Sequence, residues 1–188
     1  MNIKKIILSS SILVSTLFAG NYNVDTAHSS VGFKIKHLMI SNVAGSFSKF
    51  NGTFEYDEKT NMLKSLEGKI DVDSVHTGNT KRDKHLVKDD LFDAAKYPNI
   101  TFKVTKIDGE DVYGDFTLKG VTKNIKLELE NGGTIKDPRG NNKAAFALEG
   151  KINRADFGLT YNKALEAGGV MLGETVKLNI EIAGVEAK

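Results

Sequence analysis

The residues best suited to chemistry stand together in one charged stretch, 79–95. His85 and Asp89 lie four apart and share a face if the stretch is helical, with Arg82 and Asp83 close by. Such a face could hold a metal pair or clamp a polar ligand head group. The plainer alternative is a surface helix laced with (i, i+3) and (i, i+4) ion pairs. The spacing defines no third ligand, so no metal site is assigned. Asp89 and Asp90 are adjacent and point about 100° apart on a helix, which excludes a shared-proton dyad. His28, His37 and His76 are scattered over strand ends and loops with no ligand spacing. There is no Gly-x-Ser-x-Gly elbow, phosphate loop or dinucleotide fingerprint. The absence of cysteine removes thiol nucleophiles, Cys-based zinc sites and disulfides. No catalytic residue and no cofactor is indicated, and the reading is of a non-enzyme.

The elements that must position these groups are mostly strands. Apolar residues alternate with polar ones at Val31-Phe33-Ile35, Ile70-Val72, Ile100-Phe102-Val104, Phe116-Leu118, Ile125-Leu127-Leu129, Phe146-Leu148-Ile152 and Val176-Leu178-Ile180-Ile182. Period two with one wet face marks half-buried antiparallel strands. Phe47 to Tyr56 fits a further strand. Turn signals separate them at Asp108-Gly109, Lys119-Gly120, Asn131-Gly132-Gly133 and Asp137-Pro138-Arg139-Gly140. About eight strands at this spacing predict a sandwich or barrel. One helix is predicted over 81–92, with Thr80 and Asp83 as a capping-box-like pair, and Pro98 prevents its continuation. No linker or repeat divides the chain.

The first nineteen residues differ from the rest. Lys4 and Lys5 precede an uncharged run from Ile6 to Phe18, followed by Ala19. That is the order of a secretory signal peptide, cleaved after Ala19. The run is too short to span a bilayer, which takes about 20 apolar residues. A domain from 20 to 188 would then be periplasmic or secreted, with no transmembrane segment. The signal carries two of the 26 bases, so the mature chain balances 24 bases against 24 acids. The basic sequence pI thus gives no support to a nucleic-acid partner.

Nine of the ten Phe lie beyond the signal, most of them in the inward phase of separate strands. An eight-stranded closed barrel is about the size whose interior is either filled by side chains or holds one small ligand. Both interiors stay open on this pattern.

A series of short motifs adds a resemblance. Asp73-Ser-Val-His-Thr-Gly-Asn-Thr-Lys-Arg-Asp-Lys-His-Leu is followed by Leu91-Phe92-Asp93 and Lys96-Tyr97-Pro98. Around these stand His28-Ser29-Ser30-Val31-Gly32-Phe33, Gly114 to Lys123, Arg154-Ala155-Asp156-Phe157-Gly158-Leu159 and Ala164 to Val170. In series, from about Tyr22 to Gly184, they resemble the YceI-like family of exported polyisoprenoid-binding proteins. Asn124 departs from the pattern, which often has Pro there, and should relax that turn slightly.

The resemblance implies an extended, eight-stranded, lipocalin-like antiparallel barrel with one short helix and an apolar tunnel for a long lipid. The tunnel lining is then expected from Phe33, Ile35, Phe47, Phe54, Ile70, Val72, Phe102, Val104, Phe116, Leu118, Phe146 and Leu148. By the same analogy His37, Arg82, Asp83 and His85 form a polar mouth. The implied partner is an isoprenoid, quinone-type or fatty-amide-like lipid, carried, stored or sequestered. Each buried methylene contributes about 0.8 kcal/mol, so a few isoprene units bind without any charge. Two alternatives are an enzyme or enzyme accessory acting on a lipid head group, and a stress-protective interaction protein with a filled core. A free edge on an open barrel could pair across a homodimer.

Overall fold

A computed structural model describes residues 19–166 and 168–188. The export signal expected at 1–19 lies outside the described residues, apart from Ala19. Among the described residues no helix is long and apolar enough to cross a membrane.

The alternation read from the sequence becomes one antiparallel sheet rolled shut. Its strands are β1 (Gly20–Val24), β2 (Ser30–His37), β3 (Ser41–Phe47), β4 (Phe50–Asp57), β5 (Met62–Asp71) and β6 (Val75–His76). After the helix α1 (Thr80–Leu86) come β7 (Asn99–Asp108), β8 (Asp111–Leu118), β9 (Val121–Lys136), β10 (Asn142–Asn153) and β11 (Leu172–Glu186). β1 and β2 lie end to end along β11 and act as one strand broken at 25–29. β3 and β4 are likewise halves of one strand, divided at Ser48-Lys49. A 3-10 turn at Val72–Ser74 separates β5 from β6. With these halves joined, the ring has eight strands, and β1 closes it against β11 through Tyr22↔Glu186 and Val24↔Gly184. This is the closed barrel expected.

The turn signals at 108–109, 119–120 and 137–140 join consecutive strands as read. Asn131-Gly132-Gly133 does not. It is a bulge inside β9, where pairing with β10 jumps from Asn131↔Phe146 to Gly133↔Ala145. Gly133 takes φ 96°, a conformation glycine adopts without steric cost.

The helix is shorter than expected, ending at Leu86. Its N-cap is Asn79, whose side chain accepts from Arg82 N, so Thr80 and Asp83 form no capping pair. Beyond Val87 the chain turns so that the adjacent Leu91 and Phe92 are both buried. Helical neighbours diverge by about 100°, so burying both against one barrel end requires leaving the helix. Asn124 lies within β9 opposite Asp115, not in a turn, and its amide donates to Asp115 and Thr105.

The interior divides at the barrel's waist. One half is packed by Tyr22, Phe54, Tyr56, Leu63, Leu127, Phe146, Leu148 and Ile182. There Tyr22 stacks on Phe54 at 5.1 Å and Phe146 meets Phe54 edge-on at 5.0 Å. The other half gathers Phe47, Phe92, Ile100, Phe116, Leu118, Ile152 and Leu159 around a hollow.

Candidate functional site

The hollow is a cavity of about 350 Å³, within the range of about 300–1,000 Å³ common for small-ligand pockets. Strand register sets its depth. Leu178 opposite Phe33 lies towards the waist, Val176 opposite Ile35 and Ile152 lies above them, and Leu172 opposite His37 forms the rim. Phe116 lies deeper than Leu118, which precedes the β8–β9 turn. The partner of Phe33 across the β2–β3 ladder is Gly45. A Cβ built there would stand 2.6 Å from Phe33 Cε1, closer still to Cζ, and 2.9 Å from Thr77 Cγ2. Glycine therefore lets the Phe33 ring lie against the wall and keeps the centre open.

On one side the wall is not a ladder. β5 ends at Asp71, and β3 pairs beyond β2 only with the two residues of β6. Thr77, Arg82, His85, Leu86, Leu91 and Phe92 complete the wall with side chains. Arg154, Leu159, Tyr161, Met171 and Leu172 roof the rim. His85 meets Tyr161 edge-on at 5.2 Å and so joins wall to roof.

The polar groups at the rim are held by the fold. Arg82 donates from Nε to Thr77 Oγ1 at 2.7 Å and from Nη2 to Thr77 O at 2.8 Å. Asp83 accepts from Thr77 N and Thr77 Oγ1, and its other oxygen lies 3.5 Å from His76 Nδ1. His85 Nε2 lies 2.7 Å from Asp90 Oδ2, so Asp90 rather than Asp89 is its partner; the chain has already left the helix there. Arg154 is only 5% exposed. It donates from Nε to Gly173 O at 2.8 Å, and from Nη1 to Tyr161 O at 2.9 Å and to Leu159 O. Burial pushes its guanidinium below the ordinary arginine value, opposed by the charge of Glu174. Among the described residues no three His, Asp or Glu side chains cluster as a metal site requires.

Of the residues expected to line a tunnel, Phe33, Ile35, Phe47, Phe116 and Leu118 line the cavity. Phe54, Phe146 and Leu148 lie in the packed half instead, and Val104 packs against it. Ile70 and Val72 pack behind the cavity wall, and Phe102 touches both halves. At the mouth, His37, Arg82 and His85 line the cavity, whereas Asp83 braces Thr77. The roof and Arg154 were not anticipated. Arg154 did carry a signal: with Phe146, Leu148 and Ile152 it continues the inward phase of β10.

A closed barrel with one packed half and one roofed apolar cavity is a lipocalin-like architecture. The family model described as the YceI-like domain matches residues 22–184, and the chain belongs to that family. A UPF0312 protein of Staphylococcus aureus is 39% identical over 158 residues, which is 84% of this chain and 92% of the relative. The crystal structure of the Campylobacter jejuni YceI protein is 40% identical, covers 87% of this chain and 96% of its own, and superposes with a TM-score of 0.70. The structure of a polyisoprenoid binding domain from Saccharophagus degradans is 18% identical, covers 90% and 100% of the two chains, and has a TM-score of 0.67. The last likeness is one of fold.

Proposed function

We propose that this protein binds a single lipid, an isoprenoid or similar amphiphile, in its half-barrel cavity, and does so as a carrier or reservoir rather than as an enzyme. The observation that carries the reading is the cavity itself: about 350 Å³ lined by aliphatic and aromatic side chains, with cationic groups gathered at the rim. The relative from Saccharophagus degradans, described as polyisoprenoid binding, shares the barrel and supports an isoprenoid chain. The rim groups are engaged with Thr77, with backbone carbonyls and with Asp90, which suits orienting a head group. A quinone-type or amide head would find donors there. The proposal includes export, with 1–19 as the cleaved signal and the periplasm as the working compartment. N-terminal sequencing of the secreted protein tests that part, and a start other than residue 20 refutes cleavage after Ala19.

Detergent-free purification, organic extraction and mass spectrometry, alongside native mass measurement, test the binding. An apolar molecule in one-to-one ratio is expected. If none copurifies, and added farnesol or longer prenyl lipids neither bind nor raise the melting temperature, the reading fails.

A further inference from the structure

The rim of the cavity carries an imbalance of charge. Its lining includes Arg82 and Arg154 and no aspartate or glutamate. Among the described residues neither arginine forms an ion pair with a carboxylate within 4.0 Å. Asp83, one residue from Arg82, bonds Thr77 instead. Arg154 is the stronger case because it is buried. Its Nε and Nη1 fasten the roof to β11 through backbone carbonyls, and among the described residues Nη2 has no protein partner. A clamp would need only the hydrogen bonds. The guanidinium also brings a charge that it cannot shed by losing a proton; Glu174 acts on it only from beyond ion-pair distance, and a buried charge with no carboxylate in contact is costly.

Resting on the lipid-binding reading, we propose that the cavity selects a single-chain amphiphile with an anionic head, a carboxylate or a phosphate. The head sits under the roof on Arg154 and the chain runs down past Ile152 and Val176 towards Phe33 and Leu178. A carboxylate or phosphate supplies a counter-charge in direct contact and accepts from Nη2 in a charge-assisted hydrogen bond. An amide or alcohol can accept that bond but leaves the charge uncompensated.

The test compares dodecanoate, dodecyl phosphate and dodecanamide, of equal chain length, on the delipidated mature chain by calorimetry at pH 8. The two anions are expected to bind about 10- to 100-fold more tightly than the amide. Arg154→Gln should remove that preference while the amide still binds. If Arg154→Gln does not fold, ¹³C NMR of carboxyl-labelled dodecanoate on the wild-type protein replaces it. The bound carboxyl should then titrate below its free value. Equal affinity for the anions and the amide, an unshifted carboxyl, or a preference retained in Arg154→Gln would each overturn the seat on Arg154. If none of the three probes binds, it is the lipid-binding reading that fails.

Discussion

Gly45→Ala should shorten the chain that the cavity accepts. The new methyl would stand 2.6 Å from Phe33 Cε1, against about 3.5–4.0 Å for an ordinary carbon contact. The ring edge must therefore retreat by about 1 Å. Thr77 Cγ2 lies 2.9 Å from the same position and blocks one direction, while the hollow leaves the other free. Phe33 consequently advances into the cavity near the waist, where the end of a bound chain would lie. Evicting one or two methylenes at about 0.8 kcal/mol each weakens the longest chains about 4- to 15-fold. Chains too short to reach Phe33 should bind as before. Overpacking usually costs about 1–3 kcal/mol, and the adjoining void keeps this substitution at the lower end. The assay is calorimetry over a homologous series of fatty acids from eight to sixteen carbons, with a thermal melt of each protein. An unchanged length optimum, or equal weakening of short and long chains, would refute the placement of Phe33 as the floor.

The packed half should respond differently. Phe54→Ala removes a ring held between Tyr22 and Phe146. It should cost about 3–5 kcal/mol in urea unfolding with no change in the length optimum; a shifted optimum would show that the halves are not independent. Acid should destabilise the barrel through Asp57 and Asp137, whose carboxyls are held below the ordinary 3.8 chiefly by the backbone N–H groups of Thr60 and Asn141. Because the folded values are the lower ones, this stability is complete above the unfolded value of about 3.9 and disappears as pH falls through the folded values. The urea midpoint should be flat from pH 7 to 5 and drop below about pH 4, and Asp137→Asn should shrink the drop. Delipidated protein should melt lower than protein as purified, and recover by about 2.7 kcal/mol with ligand at a hundred times its dissociation constant; identical melts would mean that the cavity is empty as purified.

Strand phase told inside from outside, and it did so for most of the barrel. It could not tell height. Phe33 and Phe54 both alternate correctly, yet one lines a cavity and the other fills a core. The difference lies in distant partners: Phe33 faces Gly45, while Phe54 is met by Tyr22 and Phe146. β1 escaped notice because Gly20-Asn21-Tyr22-Asn23-Val24 is short and polar, and its hydrogen bonds come from β4 and β11 at the far end of the chain. The roof has no period at all, since Leu159 and Tyr161 are held by bonds from Arg154 to their carbonyls. Arg154 was in phase, but an arginine after a strand reads as solvated until the loop that buries it is seen.

The division into halves has an energetic consequence. The hollow of about 350 Å³ leaves its lining side chains without the contacts that a filled interior would supply. Without a disulfide, the fold rests on the two apolar clusters, one around Tyr22, Phe54 and Phe146 and one around the hollow, and on ring closure by β1. The wall and the roof both border the hollow, and Phe92, Phe157 and Leu159 anchor them in the apolar cluster around it. They are joined across the rim by the His85–Tyr161 contact and secured by Arg154. A ligand that fills the void supplies the missing contacts and draws wall and roof together, so occupancy and rigidity of the upper half rise in step. The hollow half gives up stability in the empty protein, and a bound chain restores it.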